Sequence, residues 1–220
     1  GIEEFAIECS ILKVAVSEDV QNASDEGIQV FGGMGFSEDT PMESAWRDAR
    51  IARIYEGTNE INRMLSVGML IKKAFKGHVD LLGPATKVQE ELMGIPSFDT
   101  PDYSELFSEE KEMLGKLKKA FLMVAGGAVQ KYGPDLEGHQ QLLIEAADIL
   151  IEIYKDESTI LRTEKKEKKD GESNVQEQIA MAKLYLYKAV DVVTQKGKES
   201  VISFAEGDEP RMTPLAFRRS

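Results

Sequence analysis

Residues 29–63 read QVFGGMGFSEDTPMESAWRDARIARIYEGTNEINR and contain the breaks that set the local architecture. The first break is Gly32-Gly33-Met34-Gly35, and the second is Gly57. Glycine adopts backbone conformations that end helices, and it costs a helix more than any residue except proline. The stretch therefore predicts three successive helices, one before each break and one after the second.

The helix between the two breaks has a well-marked start. Thr40 is a residue type favoured at the N-cap, Pro41 suits the first helical position, and Glu43 stands where a capping-box carboxylate reaches back. These residues predict a short helix from Pro41 to about Arg50. Thr58 is a second cap candidate, at the start of a helix that is expected to end near residue 77.

Apolar residues upstream recur in steps of three and four, which predicts one helix running to Phe31. The stripe consists of Ile2, Phe5, Cys9, Leu12, Val16, Val20 and Ala23. Cys9 lies on the stripe and is interpreted as a small core hydrophobe. The elements before residue 77 are too few and too often broken by glycine to close a bundle, so they are expected to expose apolar surface that needs a partner.

Residues 78–106 are rich in helix breakers and are predicted to form a connector. Beyond it, Ser108 is a cap candidate, Gly133-Pro134 a stop, Ser173 with Gln176 a capping box, and Gly197 a final stop before a last short helix. The helices between them are expected to bury Leu114, Leu117, Phe121, Ala125, Ala128, Tyr132, Leu143, Ala147, Leu150, Tyr154, Ile179, Ala182, Leu186, Val190 and Val193. No segment keeps the alternation of a half-buried strand, so the fold class is all-α.

Composition excludes several classes of protein. The 220 residues carry 27 Lys and Arg against 39 Asp and Glu, and a formal net charge of −12 disfavours nucleic acid as the main partner. A single cysteine closes no internal disulfide, which favours a reducing compartment. No apolar run approaches the roughly 20 residues that span a bilayer, and the acidic start is unlike a signal peptide. The start at Gly1 suggests a piece of a longer, non-secreted protein.

Two features carry candidate chemistry, and each has an alternative interpretation. Gly32, Gly33 and Gly35 would let a backbone approach a phosphate, or they form a simple turn between helices. Glu56 lies in a tight link where partial burial would make it a general base, or it is a surface residue at the start of a helix. The four charged residues Arg47, Asp48, Arg50 and Arg53 serve either the same site or structural ion pairs.

The runs QVFGGMGF and RDARIARIYEGTNEINR, at residues 29–36 and 47–63, together resemble the C-terminal part of acyl-CoA dehydrogenases in order and separation. The resemblance is dense over residues 1–75. A weaker similarity continues to the end of the chain, where the helices resemble the extension of the very-long-chain branch. The resemblance over the whole chain implies three parts, namely the end of the family's C-terminal helical bundle (1–77), a connector (78–106) and a second helical, bundle-like extension (107–220).

The resemblance also implies roles for individual residues in a flavoprotein that introduces an α,β-double bond into fatty acyl-CoA thioesters, a step of fatty acid β-oxidation. Glu56 matches the catalytic base, and its backbone N–H matches a donor to the thioester carbonyl. Gly57 matches the residue beside the thioester, and Tyr55 either lines the acyl pocket or is ordinary core. The FAD-contacting residues would be Thr58, Asn59 and Glu60, together with Gln29, Val30, Phe31, Gly32 and Gly33, the latter group reaching a cofactor held mostly by a neighbouring subunit.

Further expectations follow from the same family. The partners would be fatty acyl-CoA, electron-transfer flavoprotein and further copies in a homodimer or larger oligomer. The compartment would be the cytoplasm of a bacterium or the mitochondrial matrix of a eukaryote. Because most of the FAD site lies outside the matching region, these 220 residues alone are expected to be inactive. An alternative function is a helical interaction module whose extension docks a partner protein or a membrane surface.

Overall fold

The computed structural model describes residues 2–93 and 103–204, the side chains of residues 2, 3, 92 and 93 excepted. These ranges are helical and contain no strand, which confirms the all-α prediction. The helices are α1 (Ala6–Phe31), α2 (Gly33–Phe36), α3 (Pro41–Ala52), α4 (Asn59–Phe75), α5 (Leu82–Met93), α6 (Ser108–Tyr132), α7 (Gln140–Asp170) and α8 (Gln176–Phe204). Single 3-10 turns lie at Ile2–Phe5, Gly133–Gly138 and Glu172–Asn174.

The chain divides into two compact units, residues 1–69 and 70–220. In the first unit, α1 packs against α2 and α3. In the second, α6, α7 and α8 pack on one another, and α5 packs on α6. The boundary between the units falls within α4, whereas the domain division predicted from the family resemblance, at residues 77 and 107, stays a prediction.

The helices begin close to the predicted positions, but most of the predicted N-caps are not formed. At α4 the Thr58 hydroxyl accepts the Ile61 N–H at 3.3 Å, as a cap should. The capping box at Thr40 is wrong, because that hydroxyl donates to the Met34 carbonyl and Glu43 instead pairs with Arg47. The cap at Ser108 is also wrong, because Phe107 holds the N-cap position and the Ser108 hydroxyl donates to the Glu105 carbonyl. The Ser173–Gln176 box is wrong as well, because Ser173 lies inside the 3-10 turn Glu172–Asn174.

Helix α5 occupies part of the predicted connector. Asp80 accepts the Gly83 N–H at 3.0 Å and so caps the helix, and Pro84 lies in the first turn, where its missing N–H costs no helical hydrogen bond. Glycine and proline therefore mark the start of this helix rather than its absence. The predicted breakers at residues 94, 96 and 101 lie outside the described residues.

The second unit buries most of the residues predicted to point inward, including Phe121, Ala147 and Leu186. The predicted residues that are only half-buried are Tyr132, Leu150, Tyr154 and Val190. The predicted stop at Gly197 and the separate last helix are wrong, because α8 continues to Phe204. Gly197 is buried, and packing there outweighs the roughly 1 kcal/mol cost of a helical glycine. The mixed-charge run at 164–170 is helical to its end and stops at Gly171.

One carboxylate lies in the core of the second unit. Asp156 is on the inward face of α7 with Ile149, Ile153 and Ile160, and it is 1% exposed. Neither of its oxygens has a hydrogen-bond partner among the described residues. Burial, reinforced by the negative charge of Glu152, raises the pKa of Asp156 to about 7.

Helix α1 presents its apolar stripe to solvent. Phe5 and Val16 are each 58% exposed, and the other described members of the stripe are exposed as well. This confirms the expectation of unpartnered apolar surface in the first unit. The interpretation of Cys9 as a core residue is wrong, because it lies on the same exposed stripe. The opposite face of α1 is buried instead, and it is lined by small and polar residues: Ser10, Ile11, Val14, Ala15, Ser17, Gln21 and Ser24.

Candidate functional site

The link between α3 and α4 has an unusual backbone. Glu56 and Gly57 follow one another with φ values of 54° and 84°, both in the left-handed region. A glutamate in that region is uncommon, and such residues cost on the order of 1–3 kcal/mol unless the surroundings hold them. The observed strain at Glu56 marks the link as a candidate site independently of any motif.

Three hydrogen bonds close the link. The Asn59 N–H donates to the Arg53 carbonyl at 3.1 Å, so the two ends of the link are joined directly. The Asn62 side-chain amide donates to the carbonyls of Gly57 at 2.8 Å and Thr58 at 3.1 Å. A β-carbon added at Gly57 would lie 3.0 Å from this amide nitrogen, so the position needs glycine for both its φ and its space.

Glu56 and Tyr55 both lie at the surface of the link, and Tyr55 is 48% exposed. The expectation that Glu56 is partly buried within this chain is therefore wrong. Among the described residues, no backbone carbonyl accepts the Glu56 N–H. The link thus presents a carboxylate and a backbone donor side by side on its outer surface.

A buried polar network lies behind the link, between α1 and α4. Asn59 is 0% exposed, and its amide oxygen accepts from Lys13 at 2.7 Å and from Ser17 at 3.2 Å. Its amide nitrogen lies 3.0 Å from Ser17 Oγ and 3.1 Å from Glu18 Oε1. These bonds occupy the Asn59 side chain, and its backbone N–H is bound to the Arg53 carbonyl, so Asn59 is a structural residue of the network.

Glu18 is the centre of this network. Its two oxygens accept from Arg63 Nη1 and Nη2, each at 2.9 Å, and Oε1 also lies 3.7 Å from Arg53 Nη2. Burial opposes ionisation of Glu18, but the hydrogen bonds and charge of Arg63, with Asn59 and Arg53, outweigh burial and lower its pKa. Glu18 is therefore an anion that contacts residues on both sides of the link.

Lys13 belongs to the same charged environment. Burial lowers the pKa of Lys13, and the negative charges of Glu60, Glu56 and Glu18 partly counteract that effect. Its ammonium group is therefore close enough to interact with the candidate base as well as with the network behind the link.

The first turn of α4 does not offer open N–H groups. Asn59 N–H is bound to the Arg53 carbonyl and Ile61 N–H to the Thr58 hydroxyl. A hydrogen bond from its own backbone N–H lowers the pKa of Glu60, with Thr58, Arg63 and Arg53 adding to the effect and burial opposing it. An anionic Glu60 at this helix end disfavours a second anion such as a phosphate group at the same place.

The glycine corner lies at the far end of α1. Gln29 is 11 residues beyond Glu18, about 16 Å along the helix axis, so the two predicted groups of FAD-contacting residues lie apart. Every residue from Gln29 to Gly33 is exposed, with Val30 at 82%. The structure thus places one predicted group beside the polar network and the other on a separate exposed corner.

Gly35 is the position in this corner where two segments come closest. A β-carbon at Gly35 would lie 2.8 Å from both the Ile28 carbonyl oxygen and Phe31 Cβ. Gly33→Ala is a matched control, because its added β-carbon would have no neighbour within 4 Å. We expect Gly35→Ala to lower the free energy of unfolding by about 1–3 kcal/mol, the usual cost of overpacking, and Gly33→Ala to change it by less than about 0.5 kcal/mol.

Urea denaturation followed by helical circular dichroism measures both variants. Equal midpoints for Gly35→Ala and Gly33→Ala would contradict the close approach of α2 to the end of α1.

The four charged residues between the breaks separate into two groups. Arg53 joins the Glu18 network, whereas Arg47 forms an exposed pair with Glu43 at 3.3 Å. Asp48 and Arg50 are exposed on α3. Exposed pairs of this kind contribute little, typically below about 1 kcal/mol.

Sequence reasoning missed Lys13, Ser17, Glu18 and Asn62. They are the residues that hold the link from behind, and three of them lie on α1, more than 40 positions away from their partners in the sequence. A second, polar periodicity on α1 could have found Ser17 and the buried face to which it belongs. Ser10, Ser17, Gln21 and Ser24 repeat at steps of seven, four and three, which marks a buried polar face.

Two family models match this chain, both described as "Acyl-CoA dehydrogenase, C-terminal domain", at residues 2–69 and 116–219. A "Probable acyl-CoA dehydrogenase" of Bacillus subtilis is 40% identical over 219 residues, covering 100% of this chain and 36% of that protein. The mitochondrial very long-chain specific acyl-CoA dehydrogenase of Bos taurus is 32% identical over 172 residues, covering 70% of this chain and 26% of its own length.

A solved structure is similar over nearly the whole chain. The crystal structure of acyl-CoA dehydrogenase complexed with FAD from Bacillus anthracis matches with a TM-score of 0.91 and 40% sequence identity, covering 99% of this chain and 36% of that one. The chain thus spans about a third of the length of the relatives that it matches.

Proposed function

This chain belongs to the acyl-CoA dehydrogenase family, and on that basis we propose that it supplies the catalytic base of an FAD-dependent α,β-dehydrogenation of fatty acyl-CoA thioesters. The observation that carries the proposal is Glu56, an exposed carboxylate held in a left-handed backbone at the position that matches the family motif. Its exposure in this chain suits a residue whose substrate is enclosed by parts of the protein outside these 220 residues.

In the proposed reaction, the Glu56 carboxylate removes the α-proton of the thioester and becomes a carboxylic acid. When bound, FAD would supply the acceptor for the hydride that leaves the β-carbon. Negative charge develops on the thioester oxygen, and the Glu56 N–H is the donor that this chain offers to that oxygen. Gly57 leaves room for the thioester, and Tyr55 contacts the acyl chain.

The residues present fit one edge of an FAD site and not its centre. The Gln29–Gly33 corner is exposed and presents backbone and an amide side chain, as a surface that touches a cofactor of a neighbouring subunit would. Thr58, Asn59 and Glu60 do not fit the pyrophosphate, because their first-turn N–H groups are occupied and Glu60 is anionic. We therefore assign to Thr58 and Glu60 contacts with another part of FAD, whereas the predicted contact of Asn59 with FAD does not fit, because Asn59 is 0% exposed and is bonded within the network.

The corner and the link lie on separate parts of the first unit, which fits the implication of the family resemblance that the corner reaches FAD held mostly by a neighbouring subunit. We propose a homodimer or larger assembly, electron-transfer flavoprotein as the acceptor of the electrons, and a role in fatty acid β-oxidation. Residues 1–77 would complete the catalytic helical domain and residues 107–220 would form the extension, joined by residues 78–106. These 220 residues alone would be inactive.

The relatives suggest the compartment. One is bacterial and another is mitochondrial, so we propose the cytoplasm or the mitochondrial matrix according to the organism. Among the described helices, none is both long and apolar enough to cross a membrane.

The deciding experiment is Glu56→Gln in the full-length protein loaded with FAD. Anaerobic mixing with a fatty acyl-CoA bleaches oxidised FAD only if the α-proton is removed. A variant that binds FAD but no longer bleaches supports the base assignment.

A docking role of the extension is the second candidate. The observation in its favour is an exposed apolar row on α8, formed by Met181, Leu184 and Tyr187 at 57–58% exposure. Replacing all three by serine should then abolish co-flotation of the full-length protein with anionic vesicles while the rate of FAD bleaching stays unchanged. Unchanged flotation would remove membrane docking by this row from consideration.

A further inference from the structure

We propose that Glu18 is a positioning residue for Glu56, holding together the two ends of the link so that the base is presented in one fixed orientation. This inference rests on the proposed function of Glu56. It assigns to α1 a role in the reaction, although Glu18 lies 38 positions before the base in the sequence.

The geometry is that of a clamp. Arg53 is the first residue after α3, and Asn59 and Arg63 lie in the first two turns of α4. Glu18 Oε1 lies 3.7 Å from Arg53 Nη2, 3.1 Å from Asn59 Nδ2 and 2.9 Å from Arg63 Nη1, while Oε2 takes the second bond from Arg63. One carboxylate therefore contacts the chain immediately before and immediately after the link.

The charge of Glu18 is needed for this arrangement. Without it, the guanidinium groups of Arg53 and Arg63 would lose the one carboxylate that both contact, and Glu60 would be left as the nearby anion that interacts with both, so repulsion between the two arginines would increase. Arg53 Nε is already buried without a hydrogen-bond partner among the described residues, so Arg53 depends on its charged neighbours for compensation. Repulsion between these two residues would separate the ends of the link.

A separation of the ends acts on Glu56 through its backbone. The left-handed conformation at Glu56 is unfavourable for a glutamate and persists only while its surroundings hold it. When the ends move apart, the backbone returns towards a common conformation and the carboxylate points elsewhere. A displacement of about 1 Å in a reacting group lowers a rate by as much as 10²-fold, so a large effect on turnover is expected.

The test compares Glu18→Gln with Glu43→Gln in the full-length protein loaded with FAD. Each substitution replaces a carboxylate that pairs with an arginine in the first unit by an amide of the same shape. We expect Glu18→Gln to lower kcat about 10- to 100-fold per bound FAD, with KM within about threefold of its original value. Glu43→Gln should leave both parameters unchanged, because its partner Arg47 is exposed on α3.

A double-mutant cycle with Glu56→Gln separates positioning from general loss of structure. If Glu18 acts through the base, adding Glu18→Gln to Glu56→Gln lowers the residual rate by less than about twofold. An effect of Glu18→Gln that is as large without the base as with it would overturn the proposal, as would a wild-type kcat in Glu18→Gln. A wild-type rate in Glu56→Gln alone would instead refute the proposed function.

A second variant covers the case in which Glu18→Gln does not load FAD. Arg63→Lys keeps the positive charge but replaces the paired N–H donors with a single ammonium group. We expect it to retain FAD and to lower kcat about 3- to 10-fold with little change in KM. Full kcat in Arg63→Lys would show that the two-point contact with Glu18 does not position the base.

Discussion

Substrate-dependent bleaching of FAD is expected to slow by about 10²- to 10⁴-fold when Glu56 is replaced by glutamine, the range typical for loss of a general base. Glutamine has the shape of glutamate and keeps the backbone N–H, but it cannot take up the α-proton. The effect should therefore fall on kcat, with binding of FAD and of acyl-CoA preserved. Stopped-flow absorbance under anaerobic conditions, normalised to bound FAD, measures it.

The matched control is Glu38→Gln, which removes another exposed carboxylate from the same unit. Its bleaching rate should equal that of the unmodified protein. If Glu56→Gln bleaches FAD as fast as Glu38→Gln does, the base lies elsewhere and the motif at residues 47–63 serves only to hold the link.

The second large effect concerns stability and pH. The pKa of Asp156 is about 7 in the folded protein, against an ordinary value of 3.8. The folded state therefore binds a proton that the unfolded state has already released, and the contribution of Asp156 to stability is fully present below about pH 4 and lost as pH rises to about 7. At 1.36 kcal/mol per unit, the loss is on the order of 4 kcal/mol.

Asp156→Asn should remove this dependence. Asparagine resembles the protonated acid, so the variant and the unmodified protein should differ little near pH 4, whereas the variant should be more stable by about 2–4 kcal/mol at pH 8. The charged groups that act on Asp156, Glu152 and Lys155, are the same in both proteins, so the difference isolates Asp156.

Urea denaturation at a series of pH values gives the difference in unfolding free energy directly. Asp191→Asn, which neutralises an exposed carboxylate on α8, is the control and should show no such trend. A constant difference between Asp156→Asn and the unmodified protein from pH 4 to pH 8 would show that Asp156 is ionised in the fold or has a partner.

The sequence predicted local structure well because helix ends and buried stripes depend on residues close to one another in the chain. The start at Pro41, the cap at Thr58 and the inward positions of α6 and α8 are of this kind. Gly197 was misjudged because it is buried within a long helix, and burial is not visible in the local cost of a helical glycine. Periodicity found the apolar stripe of α1, but it could not show whether the residues that would cover this stripe belong to these 220 residues.

The site was only partly predictable for a related reason. A motif picked out Glu56 and Gly57, yet nothing local indicates the left-handed backbone at a glutamate. The contacts that hold it run between Glu18 and Arg63, 45 positions apart, and such pairings are not visible in spacing. The burial of Asp156 was not predicted for the same reason. Whether a carboxylate on an apolar helix face is buried depends on the helices that pack against it, and that packing is not visible in the local sequence.

The left-handed backbone at residue 56 places a conformational cost on the fold, because the proposed reaction needs a glutamate there rather than a glycine. Glycine would adopt that conformation without strain, so the fold alone would gain from losing the one side chain on which the proposed reaction depends. If a library of variants at residue 56 is selected only for heat resistance, the recovered variants should therefore tend to carry glycine there and to be inactive. A selection that also requires growth on fatty acids should restore glutamate and the conformational cost that accompanies it.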